Sequence, residues 1–293
     1  MINGTTRLVG LIGWPVAHSL SPAMHNAAFA HLGMDWKYVP LPVHPNSVGA
    51  AIHGLAALGF AGANVTVPHK TAVMTHLEDL SEAAKQIGAV NTLIVREDDD
   101  KARSLTGANT DSTGFIRSLQ RANIPVGDER AVVCGAGGAA RAVVFGLLHA
   151  GAAQVLLLNR RIEAAQQLAK QFSSIARGRI CVLPLTDETV IESARCASLL
   201  VNATPVGMSP HAEASIWPDG KRMPSELAVF DLVYAPRETR LLKQAKACGV
   251  QALDGLSMLI EQGAEAFSLW TGNPAPIAVM RQACEHRIQG GCL

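Results

Sequence analysis

Along the first hundred residues, short apolar runs of strand length alternate with stretches whose apolar positions recur at helical spacing. Residues 7–12, 36–41, 61–67 and 91–95 read as strands, and residues 21–32, 47–58 and 81–87 as helices. Ser21 opens the first helix as its cap, with Pro22 in the first helical position. Pro68 stops the third strand. Residues 109–122 form a linking helix to a second series, with strands near Ala131, Gln154, Ile180, Ser198, Val229 and Gln251 and helices between them. Two consecutive helices, 256–269 and 275–287, close the pattern with no later strand. Alternation of strand and helix implies mostly parallel sheets with right-handed crossovers. The tail helices must bury an apolar stripe. Because the second sheet is already complete, they are expected to return to the first unit.

The join between the strand near Ala131 and the next helix carries the most specific pattern: Val133-Cys134-Gly135-Ala136-Gly137-Gly138-Ala139-Ala140-Arg141. A strand running into a glycine-rich turn and then a helix presents backbone N–H groups, aided by the helix dipole, to a pyrophosphate. Gly135 permits the tight turn, Gly137 lets the backbone approach phosphate, and Ala140 lets the helix lie against the sheet. Such turns also serve structural ends, so the following strand matters. It ends in Asn159-Arg160-Arg161, where a dinucleotide fold meets the adenosine ribose. An NAD site usually carries Asp or Glu there, whereas an amide and two guanidinium groups suit a 2′-phosphate through bidentate hydrogen bonds. The alternative is two solvated arginines at a helix start. The expected cofactor is NADP, with NAD as the second candidate. The expected fold is α/β in two domains: an N-terminal α/β substrate domain (1–109 plus 255–293) and a C-terminal Rossmann NAD(P)-binding domain (110–254), the C-terminal helices returning to the first.

Composition narrows the classes. The chain has 293 residues, enough for two domains and a large core, and its net charge of +1 gives no broad reason to bind nucleic acid or an anionic membrane. Six cysteines are scattered without a C-x-x-C pair, as expected of a reduced cytoplasmic protein, with Cys134 and Cys181 acting as small hydrophobes in strands. The first residues lack a signal-peptide pattern. The longest apolar stretch, 142–158, divides into a helix and a strand and is no membrane span. Ten histidines form no metal-binding array, so no metal is expected. The acidic run Glu97-Asp98-Asp99-Asp100 reads as a solvated turn between strands.

Polar residues collect where strand ends would normally be apolar. Ser19-Leu20-Ser21-Pro22 places two hydroxyls on one turn, although alone these would be read as a helix cap and an incidental neighbour. In Asn64-Val65-Thr66-Val67-Pro68-His69-Lys70, strand alternation sends Asn64 and Thr66 to one side, just before Lys70. Asn91 and the run Thr106-Gly107-Ala108-Asn109-Thr110-Asp111 add amides and a carboxylate at further element ends. Each unpaired buried polar group would cost about 1–3 kcal/mol, so such a cluster fits a small, hydroxylated, anionic ligand. His69 is the more conventional base. If Lys70 faces the ligand, however, its neighbour points elsewhere and serves packing or support.

These motifs, with Asn202-Ala203-Thr204-Pro205-Val206-Gly207-Met208 and the run from Gly255 to Gln262, resemble in order the shikimate dehydrogenase family, including its quinate/shikimate branch. The resemblance spans nearly the whole chain. It implies an alcohol oxidoreductase that reversibly reduces 3-dehydroshikimate to shikimate with NADPH, in aromatic amino-acid biosynthesis, with its active site in a cleft between two domains. Carried over by position, Ser19 and Ser21 resemble carboxylate ligands, and Asn64, Thr66, Asn91 and Gln262 resemble ligands of the ring hydroxyls. Lys70 and Asp111 resemble the catalytic pair. Gly135, Ala136, Gly137, Gly138 and Ala139 correspond to the phosphate loop, Asn159, Arg160 and Arg161 to the ribose-phosphate clamp, and Thr204, Met208, Val233 and Gly255 to the nicotinamide side of the site. Two departures stand out. Ser112 follows Asp111 where the family often has Gly, and this is expected to restrict the turn there; Arg161 stands where many members have Thr.

Hydride transfer to a ketone builds negative charge on oxygen, so a positioned proton donor lowers the barrier. A lysine ammonium can donate that proton, but the reverse direction needs the neutral amine, which is scarce near pH 7. Lys70 and Asp111 therefore count as one coupled acid–base unit. Competing expectations are a quinate or aminoshikimate dehydrogenase using NAD, a methylenetetrahydrofolate dehydrogenase, and a nucleotide-sensing regulator without turnover. Expected partners are a small-molecule substrate and no nucleic acid or membrane, in a monomer or homodimer.

Overall fold

The computed structural model describes residues 2–97 and 103–290, and the chain divides into two compact units, residues 1–110 with 260–293, and residues 111–259. Asp98, Asp99 and Asp100 of the acidic run, and Cys292, lie outside the described residues.

The first unit opens with β1 (Arg7–Gly13), α1 (Ser21–His31), β2 (Trp36–Pro42), α2 (Val48–Ala57) and β3 (Gly62–Val65). It continues with β4 (Asp79–Leu80), α3 (Glu82–Ile87), β5 (Thr92–Glu97) and β6 (Arg103–Ala108). The sheet order is β2-β1-β3-β5-β6-β4. β1 pairs in parallel with β2 and β3, but β5 runs antiparallel to both β3 and β6. The parallel expectation thus holds for β1, β2 and β3 but not for β5, which follows α3 and still runs antiparallel to β3; the strand expected beyond the acidic turn is β6, for which no bounds were given. Its sequence, Arg-Ser-Leu-Thr-Gly-Ala, is too rich in small residues to show an alternating face. β3 ends two residues short of expectation, yet Thr66 N donates to Ile12 O at 2.8 Å and Trp14 N to Val67 O at 3.1 Å. The two chain segments therefore stay side by side up to Pro68.

A second correction concerns α1. Its cap position is Leu20, with no side-chain cap, and Ser21 is already helical. The local hydroxyl bond runs the other way, from Ser21 N to Ser19 Oγ at 3.2 Å.

The second unit begins with α4 (Asp111–Arg121), β7 (Arg130–Cys134), α5 (Gly138–His149), β8 (Gln154–Asn159), α6 (Ile162–Gln171) and α7 (Ser173–Ala176). Then come β9 (Ile180–Pro184), α8 (Asp187–Ala194), β10 (Leu199–Asn202), β11 (Ala228–Asp231), α9 (Arg240–Ala247) and β12 (Ala252–Leu253). Every pair in the sheet β12-β11-β10-β7-β8-β9 is parallel. This is the doubly wound order, with its reversal between β7 and β10. The strands are near-continuous apolar runs because helices cover the sheet. One crossover departs from the expected helix. Between β10 and β11 the chain runs through irregular turns, broken by Pro205, Pro210, Pro218 and Pro224.

α10 (Gly255–Thr271) leaves the second unit and ends in the first, and α11 (Ile277–Gln289) then packs on α1. Phe267 lies 5.2 Å from Phe29 between ring centroids, and Trp270 Nε1 donates to Leu93 O at 2.9 Å. Phe29 and Phe267 are fully buried, each contributing about 1.5–3 kcal/mol of transfer free energy. The tail helices thus return to the first sheet, as their apolar stripe requires. No helix among the described residues is long and apolar enough to cross a membrane.

Candidate active site

In the first unit, the carboxyl ends of β1 and β3 emerge side by side. Ser19 and Ser21 follow β1, and Thr66 follows β3. Ser21 is buried, while Ser19, Thr66 and Lys70 are half-buried. Below them runs a closed set of hydrogen bonds. Tyr38 Oη donates to Asn64 Oδ1 at 2.9 Å, and Asn64 Nδ2 donates to Asn91 O and to Thr92 Oγ1, each at 3.2 Å. Asn91 Oδ1 accepts from Thr110 N at 2.7 Å, which fixes the amide's orientation because only oxygen can accept there. Asn91 Nδ2 then donates to Thr110 Oγ1 at 2.9 Å and to Gln262 Oε1 at 3.2 Å. Asn64, Asn91 and Gln262, distant in sequence, are therefore brought together.

The backbone beside Asn91 holds two further candidates. Val90 N donates to Lys70 O at 2.7 Å, and Asn91 holds Thr110, the residue before Asp111. Adjacent residues of one short segment thus anchor the lysine on one side and the approach to the aspartate on the other. Asp111 is buried in the first turn of α4. Ser112 follows it inside the same helical turn, so no tight turn exists for it to restrict. A Cβ on Gly146 would sit 3.1 Å from Ser112 Oγ, so the glycine accommodates the hydroxyl. His69 is buried, with Nε2 2.7 Å from Val43 O. A carbonyl only accepts, so that nitrogen carries the proton and is committed to the backbone.

In the second unit, Gly135 leaves β7 with φ +117°, and a Cβ there would lie 2.7 Å from Ala203 O. Only glycine fits both the conformation and that approach. Gly137 precedes α5 with no side-chain cap, and a Cβ on it would enter open space. The uncapped N–H groups of Gly138, Ala139 and Ala140 suit an anion. Ala136 is half-buried beside them. These features fit a pyrophosphate at the reversal point of the sheet. After β8, Asn159 Nδ2 donates to Arg161 O at 2.8 Å, and the guanidiniums of Arg160 and Arg161 are exposed.

The nicotinamide-side candidates occupy two neighbouring loops. Thr204 Oγ1 donates to Asn202 Oδ1 at 2.6 Å; Met208 is exposed, and Ser209 N after it donates to Ala235 O at 3.2 Å. Val233 is buried, and Gly255 N donates to Val233 O at 3.3 Å. A Cβ on Gly255 would collide with the Leu232 carbonyl. Sequence reasoning missed what holds these loops. Asp231, fully buried, accepts from Asn202 Nδ2 at 2.9 Å, Val233 N at 3.1 Å and Thr239 Oγ1 at 2.6 Å. Burial pushes its carboxyl above the ordinary carboxylate range, and the three donors oppose that shift only partly. Tyr38 was also missed, although a tyrosine on the inward side of a strand needs a hydroxyl partner, and that signal could have found it.

A parallel sheet of this order with a glycine turn at its reversal point, joined to an α/β unit bearing a polar amide and hydroxyl cluster, defines a two-domain nicotinamide-nucleotide oxidoreductase. Residues 11–93 match the shikimate dehydrogenase substrate binding domain, residues 118–201 the shikimate / quinate 5-dehydrogenase family, and residues 255–285 the shikimate 5′-dehydrogenase C-terminal domain. The shikimate dehydrogenase (NADP(+)) of Moorella thermoacetica is 47% identical over 95% of this chain and 92% of its own length. A solved shikimate dehydrogenase in complex with NADP+ superimposes with a TM-score of 0.90 at 39% identity, covering 98% of each chain. The shikimate 5-dehydrogenase of Thermus thermophilus, solved with NADP(H) and shikimate, gives a TM-score of 0.84 at 40% identity, covering 96% of this chain and 99% of that one. The chain belongs to the shikimate dehydrogenase family.

Proposed function

We propose that this protein catalyses the reversible NADP-dependent reduction of 3-dehydroshikimate to shikimate. The observation that carries the reading is the Val90–Asn91 segment, which anchors Lys70 through one backbone bond and Thr110, next to Asp111, through another. Ser19 and Ser21 bind the substrate carboxylate, and Asn64, Thr66, Asn91 and Gln262 bind its ring hydroxyls. Lys70 and Asp111 act as one acid–base unit, giving a proton to the carbonyl oxygen during reduction and taking it from the hydroxyl during oxidation. Bound NADP(H) supplies or accepts the hydride. Gly135 to Ala139 would hold its pyrophosphate and Asn159, Arg160 and Arg161 its 2′-phosphate, and Thr204, Met208, Val233 and Gly255 would form the nicotinamide side of the site. The exposed arginine pair, with no carboxylate at the ribose position, supports NADP over NAD. A cytoplasmic location and a monomeric or homodimeric state belong to the same proposal.

Steady-state kinetics with shikimate and quinate, each against NADP and NAD, test it. The expected result is the highest kcat/KM for shikimate with NADP. Higher kcat/KM for quinate would move the assignment to the quinate branch, and absence of reduction at 340 nm with every pair would end it.

A further inference from the structure

Tyr38 belongs to none of the roles above, yet its hydroxyl meets a residue that does. The side chain is 2% exposed, and its ring stacks on the fully buried His25 at 4.5 Å between centroids with 4° between planes. Among the described residues, neither ring nitrogen of His25 has a hydrogen-bond partner. The imidazole therefore acts as an aromatic plate, and Phe267 and Trp270 close the box around it. The ring of Tyr38 is thereby held, and its hydroxyl with it.

That hydroxyl donates to Asn64 Oδ1 at 2.9 Å. Both hydrogens of Asn64 Nδ2 are already committed, to Asn91 O and Thr92 Oγ1. Asn64 consequently has only the second lone pair of Oδ1 to offer, which selects a hydroxyl donor on the ligand.

We propose that Tyr38 is a positioning residue for the substrate: its hydroxyl, fixed by the His25 stack, presets Asn64 for a ring hydroxyl. This rests on the assignment of Asn64 as a substrate ligand, so the test must separate the two claims. Tyr38→Phe keeps the ring in its stack and removes only the hydroxyl. The KM for shikimate should rise about tenfold, the equivalent of one buried hydrogen bond, with kcat within about twofold and the KM for NADP unchanged. An unchanged KM for shikimate, or a parallel rise in the KM for NADP, would overturn the role. Asn64→Ala serves as the control. If it does not raise the KM for shikimate, the underlying site assignment fails; if it does and Tyr38→Phe does not, the positioning role alone fails. Should Tyr38→Phe not fold, His25→Leu, which keeps the hydroxyl and removes the stack that fixes it, decides: a raised KM for shikimate supports the positioning role, and an unchanged one refutes it.

Discussion

At the scale of the residue, chemistry and stability fall on different side chains. Lys70 is half-buried, with its backbone pinned by Val90, so its ammonium is presented from a fixed base. Lys70→Ala should lower kcat by about 10²–10⁴-fold with a smaller change in KM, as removal of a positioned proton donor does. Near-normal turnover would exclude it from the chemistry. His25 governs behaviour in acid instead. Burial lowers its pKa from 6.5 to about 3, so between those values the unfolded chain binds a proton that the folded chain refuses. The stability it confers is complete above pH 6.5 and is lost as pH falls toward 3, at about 1.4 kcal/mol per unit. His25→Phe should flatten the decline of the unfolding midpoint between pH 6.5 and about 4. An equally steep acid limb in the variant would show that other groups set it.

At the scale of the element, the turn from β7 into α5 divides its labour between two glycines. Gly135 is required by the fold itself, through its φ of +117° and the Ala203 carbonyl beside it. Gly137 meets nothing, so its lack of a side chain matters only to what binds there. Gly135→Ala should cost about 1–3 kcal/mol of stability in thermal or urea unfolding, by forcing an unfavourable backbone conformation. Gly137→Ala should leave the unfolding midpoint in place and raise the KM for NADP. If the two variants behaved alike in unfolding, this division would be wrong. The loops after β10 and β11 have an equivalent device in Asp231, which joins Asn202, Val233 and Thr239 where the missing crossover helix leaves the chain without regular bonds.

At the scale of the whole molecule, ligand binding and stability are linked. A cofactor that binds only the folded chain adds about 2.7 kcal/mol at one hundred times its dissociation constant. NADP should therefore raise the unfolding midpoint, and NAD at the same concentration should raise it less. Replacing Arg160 and Arg161 with Ala should shrink that difference. An equal shift from both cofactors in the unaltered chain would remove the arginine pair from 2′-phosphate recognition.

Hydrophobic periodicity and punctuation by Gly and Pro determined most of the element order, including the parallel second sheet, the glycine turn and the two tail helices. These are local properties, written within a turn or a strand length. What remained open depended on partners far away in sequence. β6 is a strand because β5 pairs with it, not because its own residues favour one. Asn64 takes its hydrogen bond from Tyr38, 26 residues earlier, and Asn91 meets Gln262 across 171 residues. A side chain's polarity is visible in the chain, but its hydrogen-bond partner is fixed only when sheet register and helix packing bring the two groups within about 3 Å of each other. The tertiary structure alone decided those partnerships.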